Sequence, residues 1–212
     1  PMQAKFLLSA FAVVVLSCGW LQMTASAQDQ TGVTRKDDKT KQESMAVKLP
    51  DLPEGLTSFG GAVCNGKLYV FGGHKGKAHH YYRAGQNAKL LEIDLKKAGK
   101  WTVANESEGR QGLAMVAHGG KLYRLGGFVA KNKKEDKQDL HSINEFAVFD
   151  TASKSWKKLA AMPEARSSFD AVVMGDTIYV IGGWALAGEG NTTWSSTAYS
   201  IDMSAKELKW NK

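Results

Sequence analysis

The chain has 212 residues, of which 43% are hydrophobic and 23% are charged, and this balance is typical of a soluble globular protein. Its net charge of +7 is modest, and the basic runs 35–41 and 131–137 interleave acids with bases, as solvated loops do. This pattern, without a recognisable nucleic-acid motif, excludes nucleic acid as a partner. The count of 22 glycines against four prolines indicates many tight turns between short strands.

The first 27 residues have the pattern of a secretory signal peptide. Lys5 precedes an apolar run from Phe6 to Val15, and Ala25-Ser26-Ala27 forms a cleavage site before Gln28. An apolar run of about ten residues is too short to cross a bilayer, which needs about twenty. Lipid attachment at Cys18 is an alternative, but Leu16 fits a lipobox poorly, so we favour cleavage. We therefore expect export to the periplasm or the exterior, and no membrane association after cleavage.

Residues 28–44 are polar and lack a hydrophobic rhythm, which predicts a disordered linker. After removal of the signal peptide, Cys64 is the single remaining cysteine, and an internal disulfide is excluded. Cys64 lies in an apolar segment, so we expect a buried, unreactive thiol.

The remaining chain repeats itself three times. Each repeat contains an apolar segment that ends in two glycines, and these segments are 66–73, 120–127 and 175–183. The diglycines recur at intervals of 54 and 56 residues. Downstream of each diglycine, an alternating segment ends in an aspartate (Asp94, Asp150, Asp202), and a tryptophan follows (Trp101, Trp156, Trp210). Three landmarks in the same order in every repeat indicate one supersecondary unit per repeat.

Each repeat is predicted to form four antiparallel strands. An apolar inner strand leads through a two-residue turn into the strand that ends at the diglycine. A variable loop follows, then a third strand that ends at the aspartate and a fourth that carries the tryptophan. Four such strands cannot bury both faces of their sheet alone, but stacked sheets can.

These landmarks resemble the kelch motif, and the resemblance covers residues 46–212. It implies an all-β fold, a kelch-type β-propeller with three four-stranded blades at about 56–109, 110–165 and 166–212. Residues 45–55 resemble the end of a fourth strand and are predicted to be an orphan N-terminal strand that closes the ring. Three blades are fewer than the four to eight of a propeller. We therefore expect an incomplete ring from a longer protein or, if the chain is complete, ring closure between two chains.

Two arginines occupy the same place in their repeats, sixteen residues before the diglycine, and Leu56 holds that place in the first repeat. In kelch propellers this position points to the mouth of the central channel. The resemblance thus implies that Arg110 and Arg166 bind an anionic ligand, for which guanidinium forks are suited. The alternative is structural, with both arginines bonded to loop carbonyls between blades.

The loops after the diglycines, at 74–87, 128–142 and 184–196, are the other candidates for recognition. Their aromatic and imidazole side chains could stack on a sugar or contact a protein; we single out His79, Tyr81 and Trp184. Adjacent His79 and His80 do not share a strand face, and no spacing requires the histidines to converge. We therefore expect neither a metal site nor a cofactor.

We favour an exported binding module that takes a protein partner or an anionic sugar on its channel-mouth loops. A sugar-acid enzyme resembling the sialic acid mutarotases is the first alternative. It would need a carboxylate for proton transfer, and the sequence singles out none. A copper enzyme like galactose oxidase is the second alternative, although its ligand set cannot be assembled from these residues. Whether the protein is an enzyme stays open.

Overall fold

The structure, a computed structural model, describes residues 48–97 and 99–212. The predicted signal peptide (1–27) and linker (28–44) lie outside the described residues and stay predictions. Every described residue belongs to the unit Met45–Lys212. Among these residues, no helix is long and apolar enough to span a bilayer.

Blade one is a four-stranded antiparallel sheet in which the strands follow one another in chain order. Its strands are β1 (Thr57–Cys64), β2 (Lys67–His74), β3 (Lys89–Asp94) and β4 (Thr102–Glu106). Asn65 and Gly66 form the tight turn between β1 and β2, and both have positive φ angles, 49° and 75°. The long loop between β2 and β3 contains a short 3-10 helix, Arg83–Gly85.

Blade two repeats this sheet and adds a hairpin to its loop. Its strands in chain order are β5 (Ala114–His118), β6 (Lys121–Leu125), β7 (Phe128–Ala130), β8 (Leu140–Ser142), β9 (Phe146–Asp150) and β10 (Ser155–Lys158). The sheet has the order β10-β9-β6-β5, and β7 pairs with β8 outside it.

Blade three has the same plan. Its strands are β11 (Asp170–Met174), β12 (Thr177–Ile181), β13 (Trp184–Ala185), β14 (Thr193–Trp194), β15 (Ala198–Asp202) and β16 (Trp210–Asn211). The sheet has the order β11-β12-β15-β16, with β13 and β14 as a separate hairpin. The predicted four-stranded repeats of an all-β propeller are confirmed in all three cases.

The predicted closing strand at 45–55 is not confirmed. Residues 45–47 lie outside the described residues, and 48–55 contain no strand. The sequence match that suggested the strand places Leu49 over Leu159, which follows β10 rather than belonging to it. Pro50 and Pro53 also lack the N–H group that a strand ladder needs. Instead, the indole of Trp101 donates to the carbonyl of Pro50 at 3.1 Å, as Trp210 does to Ala160.

Neighbouring blades pack face to face through two apolar cores. The core between blades one and two contains Cys64, Tyr69, Phe71, Leu90, Leu113, Met115, Leu122 and Phe149. The core between blades two and three contains Ala114, Val116, Tyr123, Leu125, Phe146, Met162, Phe169, Ile178, Val180 and Ile201. Burial of these side chains is the main stabilising term, because each blade has little interior of its own.

The diglycines allow the backbones of adjacent blades to touch. A Cβ atom added at Gly72 would lie 2.6 Å from the carbonyl oxygen of Arg110, and one at Gly126 would lie 2.5 Å from that of Arg166. The following glycine then donates its N–H to the same arginine carbonyl, Gly73 to Arg110 at 2.8 Å and Gly127 to Arg166 at 2.9 Å. Only glycine has both the positive φ and the missing side chain that this approach needs.

One face of the apolar inner strand of blade three is exposed. In β11, Val172 and Met174 are 60% and 69% exposed, whereas β5 of blade two is largely buried. The physical reason is that the face of β5 is covered by a neighbouring blade, while no described residue covers this face of β11.

Candidate functional site

The loops that follow the three diglycines bond to one another and form one continuous surface, which we call the loop face (residues 74–87, 128–142 and 184–196). Between the first two loops, the side chain of Gln86 donates to the carbonyl of Phe128 at 3.0 Å and accepts from the N–H of Ala130 at 2.9 Å. Between the second and third loops, Ser142 and Leu186 exchange two hydrogen bonds, both 2.9 Å long. The loops therefore hold each other in place.

Arg110 is buried, with 1% of its surface exposed, at the entry to blade two. Its Nη1 donates to Oε1 of Glu145 at 2.7 Å. Arg124 donates to the same oxygen from Nε at 3.1 Å, and its guanidinium lies 4.3 Å from the ring centroid of Trp156. Glu145 thus joins two arginines inside one blade. The Nε of Arg110 is buried without a partner among the described residues.

Arg166 occupies the same position in blade three and is fully buried. Its Nη1 donates to the carbonyls of Gly182 and Thr197 at 3.0 and 3.2 Å, and its Nη2 donates to Oε2 of Glu164 at 2.9 Å. The Arg110 side chain is therefore bonded within blade two, the Arg166 side chain is bonded within blade three and to Glu164 just before it, and the contacts of the two side chains do not meet. Their predicted role in binding an anionic ligand stays a prediction.

The other predicted site residues lie in two different parts of the loop face. Tyr81 packs between His74 and Phe128, with ring centroids 5.0 and 5.6 Å away, so it fills the junction of blades one and two. His79 is exposed, and its carbonyl accepts a hydrogen bond from Gln138 at 2.9 Å. Trp184 lies in blade three, where its ring packs against that of Trp194 with the two ring centroids 4.7 Å apart. Their predicted role in binding also stays a prediction.

Sequence reasoning missed the Arg124–Glu145 pair. Burial opposes ionisation of Glu145, but the charges of Arg110 and Arg124 outweigh it, and the pKa of its carboxyl lies below the usual value. Burial and repulsion by Arg110 lower the pKa of Arg124 to about 10. The sequence did contain a signal for this pair, because Arg124 stands at the repeat position where the other two blades have an apolar residue, Val70 or Val180.

A second missed feature is a pocket of about 390 Å³ at the entry to blade three, with the carboxylate of Glu164 at its wall. Tyr199 donates to Oε1 of Glu164 at 2.8 Å, and Thr197 donates to Oε2 at 2.9 Å. These two hydrogen bonds, with the nearby charge of Arg166, lower the pKa of the Glu164 carboxyl. Trp194, 73% exposed, lines the same pocket. An ionised carboxylate, hydroxyls and an exposed indole are the groups that contact sugars in proteins.

A third feature is the basic groove, which we define by its lining residues Tyr82, Arg83, Ala84, Lys131, Asn132, Lys133 and Lys134. It lies where the loops of blades one and two meet and has a volume of about 650 Å³. Arg83 and Lys131 also line a neighbouring cleft of about 420 Å³. A cationic groove of this size suits an anionic partner.

The residues at the starts of the three inner strands are joined to one another by backbone hydrogen bonds. Gly112 donates its N–H to the carbonyl of Ser58, and Ser168 donates to that of Gly112, both at 2.7 Å. These three residues have positive φ angles between 51° and 63°. They border a cavity of about 340 Å³ and fix the spacing between the blades.

Among residues 48–97 and 99–212, no three histidine, cysteine, aspartate or glutamate side chains are grouped as metal ligands. Cys64 is buried in the core between blades one and two, and burial raises the pKa of its thiol. A thiol with a raised pKa is a poor nucleophile, and this position is inside the fold rather than on the loop face.

Three four-stranded antiparallel sheets, packed face to face in chain order, define a segment of a β-propeller. A family model described as "KLHDC2/KLHL20/DRC7 Kelch-repeats domain" matches residues 39–183, and one described as "Kelch motif" matches residues 165–212. The chain therefore belongs to the kelch-repeat family.

Similar proteins include an N-acetylneuraminate epimerase from Pasteurella multocida (strain Pm70), which is 32% identical over 148 residues, covering 66% of this chain and 34% of that protein. The human Kelch domain-containing protein 1 is 25% identical over 195 residues, which cover 76% of this chain and 46% of the human protein. The chain thus spans less than half the length of these relatives. A solved structure described as "Structure of YjhT" is similar in fold, with a TM-score of 0.50 and 23% identity over 65% of this chain and 37% of its own.

We predict that Glu145→Gln destabilises the fold by about 3 kcal/mol, because it leaves Arg110 and Arg124 together without a counter-charge. Urea unfolding measures the change. Since the folded-state pKa of Glu145 lies below the usual value of a glutamate, its contribution to stability is present above that usual value and is lost as the pH falls through the lower, folded-state value. The variant should lack this part of the pH dependence.

The control for this variant is Glu189→Gln. Glu189 pairs with Lys137 on the surface, where both side chains are mostly exposed, so little change is expected. Equal stability losses in the two variants would contradict the assigned role of Glu145.

Proposed function

We propose that this chain is part of an exported kelch propeller that acts as a binding module for a protein or an anionic ligand, and that the partner contacts the loop face. The observation that carries the proposal is the mutual bonding of the three loops through Gln86 and Ser142. Loops that are already ordered lose little conformational entropy on binding, which favours affinity. Membership of the kelch-repeat family supports it, since kelch domains generally mediate protein–protein interaction.

Export is part of the proposal and rests on the charged, apolar and Ala25-Ser26-Ala27 pattern at residues 1–27. The buried position of Cys64 is compatible with an oxidising compartment, because a buried thiol is protected from exchange. N-terminal sequencing of the exported chain distinguishes cleavage before Gln28 from lipid attachment at Cys18.

Site-specific photo-crosslinking tests the binding surface. With a benzophenone side chain at His79 or Trp194, two exposed positions on the loop face, we expect adducts of discrete mass in the protein's own host. The same side chain at Lys97 or Asp176, near the turns at the opposite end of the strands, is the matched control and should give none. Adducts from the turn positions alone would place the partner on the wrong face and contradict the proposal.

A second candidate function is a sugar-acid mutarotase or epimerase, favoured by the Glu164 pocket together with the similarity to the Pasteurella epimerase. Glu164, whose pKa lies below the usual value, is ionised near neutral pH, and an ionised carboxylate can accept the proton of an anomeric hydroxyl. The ring C–O bond then breaks as the ring oxygen takes a proton from water, and closure on the opposite face reverses these transfers. Trp194 would support the sugar ring.

Proton NMR of the anomers of N-acetylneuraminate tests this second candidate. We expect the chain to accelerate their interconversion, and Glu164→Gln to lower the rate by about 10²–10⁴-fold, the usual contribution of a general base. Glu108→Gln, at the equivalent place before Arg110 in blade two, is the matched control and should keep the rate. An unaccelerated rate with the unaltered chain would rule out the mutarotase and leave the binding module.

A further inference from the structure

We propose that the basic groove binds an acidic, extended segment of a partner protein. This inference rests on the proposed binding function and names both the place on the loop face and the chemistry of the partner. Four observations support it, namely a rigid floor, unpaired charge, an apolar base and an adjoining second cavity.

The floor of the groove is held by one buried side chain. Asn132, 7% exposed, donates from Nδ2 to the carbonyls of Tyr81 and Lys133, both at 2.9 Å, and accepts at Oδ1 from the N–H of Asp139 at 3.0 Å. Its own carbonyl accepts from the N–H of Arg83 at 3.0 Å. A buried amide with all these groups satisfied fixes the two loops relative to each other. The groove is therefore formed before any ligand arrives.

The groove carries four basic side chains without ion-pair partners. Among residues 48–97 and 99–212, no carboxylate lies within salt-bridge distance of Arg83, Lys131, Lys133 or Lys134. The acids nearest in sequence, Glu135 and Asp136, are exposed, and Asp136 accepts from the backbone N–H of Lys133 instead. The uncompensated positive potential selects an anionic partner.

The base of the groove is apolar enough to prefer a peptide over a simple anion. The ring of Tyr82 lies beneath the ammonium group of Lys134, 5.9 Å from it, and Ala84 lines the same wall. The aliphatic stems of the lysines extend this surface. An acidic segment with interspersed apolar side chains matches both the rim and the base.

The two adjoining cavities favour an extended segment. The groove and the neighbouring cleft share Arg83 and Lys131, so the two cavities adjoin, and the cleft is also lined by the exposed carboxylate of Glu108. Arg83 can hold a carboxylate with two parallel N–H donors, and the lysines add less directional charge. Successive carboxylates along a chain can therefore be engaged at once.

Fluorescence anisotropy with a fluorescein-labelled peptide that alternates glutamate and leucine tests the proposal on the whole chain. We expect saturable binding that weakens with added salt, and no binding of the matched glutamine–leucine peptide. The double variant Arg83→Glu/Lys131→Glu should weaken the binding at least tenfold. Both side chains are exposed, so the fold should be retained, which circular dichroism checks.

The control variant Lys206→Glu/Lys209→Glu makes the same change in net charge at exposed positions of blade three and should bind as the unaltered chain does. Equal weakening in both variants would show attraction by net charge alone and overturn the groove. If dextran sulfate binds more tightly than the peptide at the same residues, the groove is a site for polyanionic sugars, and the proposal of an acidic peptide ligand is overturned. If the groove variant still gives crosslinked adducts on the loop face, the proposed binding function is retained and only the proposal for the basic groove is contradicted.

Discussion

The structure depends on the contact between the backbone of the first two diglycines and the arginine carbonyl at the entry to the next blade. At Gly72 and Gly126 there is no room for a Cβ atom, and Gly73 and Gly127 donate to the carbonyls of Arg110 and Arg166. Because this contact brings two sheets together at their loop ends, it determines how closely the apolar cores can pack. The glycines of the kelch motif are thus needed because they allow adjacent blades to approach this closely.

The loop face follows from the same contact. The first two loops begin directly after a diglycine that contacts the next blade, so the position of their first residues is set by that blade. The buried arginines then connect the interior of each blade to its loop end by hydrogen bonds. Arg110 bonds to Glu145, and Arg166 bonds to Thr197. Removing a charge from such a network is costly, whereas the surface charges of the basic groove can vary freely. The scaffold and the recognition surface are therefore separate sets of residues with different constraints.

The repeat made the fold predictable, and the aspartates Asp94, Asp150 and Asp202 do end the third strands. What the sequence could not show was the pairing within the loops: the hairpin β7–β8 forms inside one variable loop, and Asn132 bonds to Tyr81 of a different repeat. The partner of Arg110 was hidden because Glu145 lies 35 residues away, at a position that holds different residues in the three repeats. The match at Leu49 failed as a strand prediction because similar residues occur just beyond a strand end.

The central claim is that diglycines join blades, and a pair of glycine-to-alanine variants tests it most directly. Gly126 and Gly182 hold the same repeat position and have positive φ angles of 52° and 69°, but a Cβ atom would meet Arg166 at Gly126 and no atom within 4 Å at Gly182. Both variants incur the strain of a left-handed alanine, about 1–2 kcal/mol. Only Gly126→Ala adds overpacking, so urea unfolding should show a further loss of about 1–3 kcal/mol. Equal losses at the two positions would contradict the account.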